Sequence, residues 1–144
     1  MMRSKKNILI IKFGGLGDFF LSLYAINSIK KFHSKDNLIL LTEIPYSQIA
    51  NKSGWFQKII TIKRSLFHFQ DKIQIKKKIN GINFDIVYDL QTSRRSSSYY
   101  SIFDKKKIMW SGIVKGCSLF HSNPNRNKIH TIERQEEQLG IAEI

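Results

Sequence analysis

The stretch NILIIKF (7–13) is an apolar run of strand length, rich in β-branched residues and free of polar alternation. Such a strand is buried on both faces. It breaks at a glycine cluster, Gly14, Gly15 and Gly17, and an apolar helical pattern follows from Asp18 to about Phe32, ending in Lys30 and Lys31. Lysines there suit a helix C-terminus. The same alternation continues to the end of the chain. Further strands are expected at 37–43 (NLILLTE), 56–63, 84–90 (FDIVYDL) and 106–112. Helices are expected at 45–54, with Pro45 near the start and Gly54 past the end, at 65–81, where KIQIKKKI also alternates like a strand, and at 93–103 and 130–141. Strands alternating with helices imply βαβ units: an α/β, Rossmann-like parallel sheet with helices on both faces. Ligands bind such sheets beyond the carboxyl ends of the strands. That points to the 14–18 turn, to Thr42–Glu43 and to the stretch after Asp89.

At 144 residues the chain makes one domain with a real core. A single cysteine, Cys117, excludes an intrachain disulfide and any CxxC zinc pair, which suits a reducing compartment. His33, His68, His121 and His130 show no metal-ligand spacing and read as ordinary surface or cap residues, so no metal is expected. The net charge of +13 has two readings. Lysine outnumbers arginine 18 to 6, and isoleucine (23) and asparagine (9) are abundant, a drift that AT-rich codons would produce. The alternative is attraction to an anion: nucleic acid, a membrane surface or a phosphorylated substrate. Nucleic acid is the weakest of these, because no basic helix, zinc finger or ribonucleoprotein motif is present. No apolar run reaches about 18 residues, so no membrane span is expected. The start MMRSKK–NILIIKF imitates a signal peptide only faintly, because Lys12 interrupts the apolar run; a cytoplasmic protein is expected.

Two clusters of residues could carry chemistry. A dinucleotide fingerprint starting at Gly15 would need glycine at position 20, which holds Phe20, and no P-loop Lys-Ser/Thr follows. The glycines still allow a ligand close to the backbone, and the helix start favours an anion. Asp18 could cap that helix, a role worth about 1 kcal/mol. It could equally accept a proton from a substrate hydroxyl. The second cluster is YDLQTSRRSS (88–97), with Asp89 and Gln91 at a strand end and Arg94 and Arg95 at a helix start. Arginines there either recognise phosphate or carboxylate or form a solvated helix face.

Taken in order, ILIIKFGGLGDFFLSLYAINSIKK, NLILLTE, FDIVYDLQTSRRSS and HTIERQEEQLGI resemble the amino-terminal half of the heptosyltransferases, the ADP-heptose:lipopolysaccharide glycosyltransferases of glycosyltransferase family nine. The shared pattern is a strand, a GxxGD turn and a helix, then a hydrophobic-D-L-Q-x-x-x-R-S stretch, then an H…R helix closing on LG. The resemblance implies a two-domain GT-B architecture, of which this chain is the acceptor-side domain. A separate domain would hold the nucleotide-sugar, and this chain alone would be inactive. It implies inverting transfer of a sugar, ADP-heptose in the namesake enzymes, to a lipopolysaccharide-core acceptor without metal or other cofactor. Asp18 becomes the base and retains the option of capping. Gly14, Gly15, Gly17, Gln91, Arg94, Arg95 and Lys12 become substrate-binding residues, the arginines facing an anionic acceptor. The basic surface would dock peripherally on the cytoplasmic face of the inner membrane. The rival readings are a non-catalytic module binding an anionic glycan or lipid, and a nucleotide-binding domain with Glu43 on a ribose.

Overall fold

The computed structural model describes residues 3–144. Six strands form one sheet: β1 (Asn7–Ile11), β2 (Asn37–Glu43), β3 (Lys58–Ile62), β4 (Ile86–Asp89), β5 (Met109–Gly112) and β6 (Leu119–Phe120). Their order is β3-β2-β1-β4-β5-β6, and every neighbouring pair is parallel. The helices are α1 (Leu16–Phe32), α2 (Ile44–Ser53), α3 (His68–Lys78), α4 (Arg94–Ser98) and α5 (Thr131–Ile141). This is the expected Rossmann-like architecture.

The unbroken apolar strands are explained by what covers them. Leu9 and Ile11 of β1, Ile39 and Leu41 of β2 and Val87 of β4 face one side, where Ile75 of α3 and then Tyr99 and Tyr100 complete a core. Ile8, Ile10, Leu38, Leu40, Ile86 and Tyr88 face the other, against Phe19, Ala25, Ile26 and Ile29 of α1, Ala50 of α2 and Leu139 of α5. With both faces buried, polar alternation has no solvent side to serve.

Several expectations need correction. α1 starts at Leu16 because Gly15, in extended backbone, is its N-cap; Asp18 lies in the first turn, and no side chain caps the helix. The capping role therefore falls away. The 93–103 segment is α4 followed by a short 3-10 turn, Tyr99–Ile102. α3 starts only at His68, because Ser65 is held to Asp71 by its N–H and hydroxyl, both at 2.9 Å. β6 was not anticipated; two residues are too short for any periodicity to show. His130 does cap α5, its Nδ1 accepting from Ile132 N–H at 3.2 Å. His33 and His121 are buried rather than superficial. The His33 ring sits between Tyr88 Oη (2.7 Å) and Asp36 Oδ2 (2.9 Å), a site that burial would discharge and Asp36 partly compensates.

Among the described residues no helix is long and apolar enough to cross a membrane.

Candidate functional site

The strand order reverses between β1 and β4, and the chain leaves both at their carboxyl ends. A parallel sheet opens a crevice at such a point. After β1 the chain stays extended through Lys12, whose N–H donates to Leu41 O at 3.1 Å. The glycine turn is then slung between two side chains. Phe13 N–H donates to Gln91 Oε1 at 3.0 Å, and Gly14 N–H donates to Glu43 Oε1 at 3.2 Å. A Cβ at Gly14 would collide with the Tyr46 ring, which stacks on Phe19, so any side chain there would have to displace that tyrosine. Glu43 is itself held by Arg64, Nε to Oε2 at 3.0 Å. Its carboxylate thus secures the turn, an arrangement quite different from a free ribose ligand.

Asp18 projects from the first turn of α1. It is exposed, and among the described residues no donor reaches its carboxylate. Lys12 is buried close by. Burial lowers the Lys12 pKa and Arg134 lowers it further, while Asp18 and Asp89 push it back up. Lys12, Asp18, Asp89 and Arg134 therefore share one electrostatic neighbourhood.

Asp89 is wholly buried at the end of β4. Its Oδ1 accepts N–H bonds from Gln91 (3.1 Å) and Thr92 (2.9 Å), and its Oδ2 accepts the Ser96 hydroxyl (2.9 Å). This closes a tight loop, with Thr92 at φ 48°, and fixes Gln91 under the glycine turn. Ser93 and Ser96 form a reciprocal capping box that starts α4. Burial pushes the Asp89 pKa up to about 6, against those hydrogen bonds and Lys12. The folded state therefore holds this proton more tightly than the unfolded chain does, so the stability Asp89 contributes falls as pH rises from about 4 to about 6. Asp89→Asn keeps an acceptor for both N–H groups and has no such titration. Relative to the parent, the variant should gain up to about 3 kcal/mol in unfolding free energy between pH 4 and pH 7. Urea unfolding at the two pH values measures this; a pH-independent difference would contradict it.

The two arginines of SRRSS part company. Arg94 is exposed at the start of α4, which follows the Asp89 loop at the carboxyl end of β4. Arg95 points inward: it pairs with Asp71 and donates to Ser65 O at 2.7 Å. What remains accessible of Arg95 lines an open cleft of about 800 Å³ beside Glu43, Lys63, Arg64 and Leu66. Gly15 and Gly17 lie open to solvent, with nothing near enough to obstruct a side chain there.

Two cations of the site were not anticipated. Arg126 donates to Thr92 Oγ1 at 2.9 Å and to His121 Nδ1 at 3.4 Å, tying the segment after β6 to the Asp89 loop. Arg134 stands on the first turn of α5, which is anchored by Gln138 Nε2 to Asp89 O (3.0 Å) and Ser111 O (3.3 Å). Gln135 Nε2 adds a bond to Ser22 Oγ of α1 at 2.9 Å. The H…R pattern of HTIERQ carried the signal for Arg134; nothing local marked Arg126.

No protein-family model matches the chain, and no curated protein matches it in sequence. Solved structures do. A family nine glycosyltransferase from Veillonella parvula DSM 2008 superimposes at TM-score 0.74 and 17% identity, over 97% of this chain and 43% of that one. The E. coli heptosyltransferase WaaC, solved with ADP, gives 0.70 and 16%, over 93% and 47%. The same enzyme with ADP-2-deoxy-2-fluoro heptose gives 0.68 and 16%, over 95% and 47%. The chain thus has the α/β fold found in family nine glycosyltransferases, and it spans less than half the length of those structures. Within that class it is similar to the heptosyltransferases, as its motifs indicate.

Proposed function

We propose that this chain is the acceptor-side domain of a heptosyltransferase-like glycosyltransferase. The observation that supports this most is the placement of Asp18: an exposed carboxylate without a protein donor, at the crevice between β1 and β4, beside buried Lys12, on which Arg134 also acts. A structural carboxylate would have a partner; Asp71, Asp36 and Asp89 all do.

In the proposed reaction an acceptor hydroxyl gives its proton to Asp18 while its oxygen attacks the anomeric carbon of a nucleotide-sugar. The bond from that carbon to the diphosphate breaks, its electron pair leaves with the nucleoside diphosphate, and the configuration inverts. Lys12 fixes the field around the carboxylate. The glycine turn, held by Gln91 and Glu43, lets the acceptor approach the backbone. Arg94 and Arg134, with the accessible edge of Arg95, suit acidic sugars or phosphates of a lipopolysaccharide-type core. The donor, ADP-heptose by analogy with the ligands of WaaC, would sit on a second domain facing this crevice.

Titration of the isotopically labelled protein with a delipidated, acidic lipopolysaccharide-core oligosaccharide tests the reading. Amide shifts are expected at Gly14–Asp18, Gln91–Arg94 and Arg134. Replacing Arg94 and Arg134 together by alanine should weaken binding about tenfold to a hundredfold. Shifts absent from the glycine turn would refute the assignment. Binding there without transfer, once a donor domain is supplied, would favour a non-catalytic glycan-binding module.

A further inference from the structure

The loop from β3 to α3 and the outer face of α3 form a surface that neither core nor crevice uses. Leu66 is 84% exposed, Phe67 53%, Phe69 58% and Ile73 50%. The rings of Phe67 and Phe69 stack on each other at 5.7 Å, outside the core. Exposed apolar residues are ordinary when scattered. Here four large ones fall within eight consecutive positions.

The helix places them together. Phe69 and Ile73 are four residues apart and share a face, with Lys72 and Lys76 on one side of it and Lys77 on the other. The opposite face, Asp71 and Ile75, is buried. Lys63 and Arg64 stand at the loop's other end. The sole acid between residues 63 and 80 is Asp71, buried and paired with Arg95. An apolar ridge flanked by cations and lacking exposed acid matches the interface of an anionic bilayer: aromatic and aliphatic side chains at the acyl boundary, lysines at the headgroups. The other exposed apolar stripe, Leu16, Phe20 and Tyr24 on α1, has no cation on its helix before Lys30, so it lacks that complementarity.

We propose that the Leu66–Ile73 ridge and its flanking lysines dock the protein on an anionic lipid surface, inserting Leu66, Phe67 and Phe69 at the acyl boundary. The ridge continues into the cleft through Leu66, at the same carboxyl end of the sheet as the crevice, so the bilayer would lie at the mouth of the site. The proposal deepens the transferase reading and rests on it for why a lipid-linked acceptor would arrive there. The docking itself is tested without any transfer.

The test is co-sedimentation of the whole chain with phosphatidylcholine vesicles, with and without about one third phosphatidylglycerol. The protein should bind the mixed vesicles only. Leu66→Ser/Phe67→Ser/Phe69→Ser should lower the partition coefficient about tenfold or more, and Lys72→Glu/Lys76→Glu/Lys77→Glu likewise. Lys105→Glu/Lys106→Glu/Lys107→Glu makes the same charge change on exposed lysines ahead of β5, and should leave binding within about twofold. Circular dichroism checks that all variants fold. No binding, or equal loss in the Lys105–Lys107 control, would overturn the proposal. Lipid-free dimerisation abolished by the serine variant would do the same, assigning the ridge to a second copy of the chain. Binding of the delipidated oligosaccharide should be untouched by Phe67→Ser/Phe69→Ser, whose residues do not line the cleft. Its failure would count against the transferase reading and leave the vesicle result standing.

Discussion

Asp71→Ala is expected to cost about 3–5 kcal/mol of folding stability, a large share of the 5–15 kcal/mol typical of a domain. The residue is a hub. Its carboxylate has no solvent exposure and accepts from Tyr99 Oη at 2.6 Å, from Ser65 N and Oγ, both at 2.9 Å, and from the Arg95 guanidinium. Burial alone would raise its pKa, but the bonds from Tyr99, Ser65 and Arg95 outweigh that and hold it below the usual carboxylate range. The stability it contributes is therefore complete at neutral pH and is lost as pH falls below about 4. Alanine leaves a guanidinium and a buried phenol without their acceptor, and such orphans are costlier than the bonds themselves are favourable. Tyr99→Phe, which removes one donor and leaves the acid satisfied, should cost only about 1–2 kcal/mol. Urea denaturation at pH 7 measures both. A loss under about 1 kcal/mol for Asp71→Ala would mean that the network is wetter than this geometry allows.

Asp18→Asn is expected to act the other way round, leaving the fold intact and removing turnover. The side chain is exposed and makes no cap, so its share of stability is limited to the helix dipole, about 0.3–1 kcal/mol. If it takes the acceptor proton, its loss should lower kcat about 10²–10⁴-fold in a protein that also contains the donor domain. The KM for the acceptor should hardly change, because the amide keeps the shape and the arginines keep the anion. Steady-state transfer kinetics distinguish this from a binding role, in which KM rises and kcat persists. Unchanged kcat would remove Asp18 from the chemistry.

The elements legible in the sequence were those whose cause is local. β2 falls at Asn37–Glu43 as read, because an uninterrupted apolar run admits no other environment. α2 ends at a left-handed Gly54, φ 68°, as its glycine indicated. The glycine turn and the Asp89 loop were recognisable as strand ends, and the strand order then brought them together. What escaped reading depends on partners far along the chain. Arg95 looked like a companion of Arg94, but Asp71, 24 residues earlier, draws it inward. Glu43 resembled a ribose ligand until Gly14 and Arg64 were found on it. His33 gave no sign of Tyr88, 55 residues away. α1 began earlier than expected because glycine could serve as N-cap where aspartate is the favoured residue.

The central claim is that an acceptor hydroxyl comes to Asp18, and a structure of the protein bound to an acidic core oligosaccharide tests it most directly. One sugar hydroxyl is expected within about 2.6–3.2 Å of the Asp18 carboxylate, with the acceptor's anionic groups against Arg94 and Arg134. An oligosaccharide bound away from the glycine turn would contradict it. So would a nucleotide seated on that turn with its ribose on Glu43.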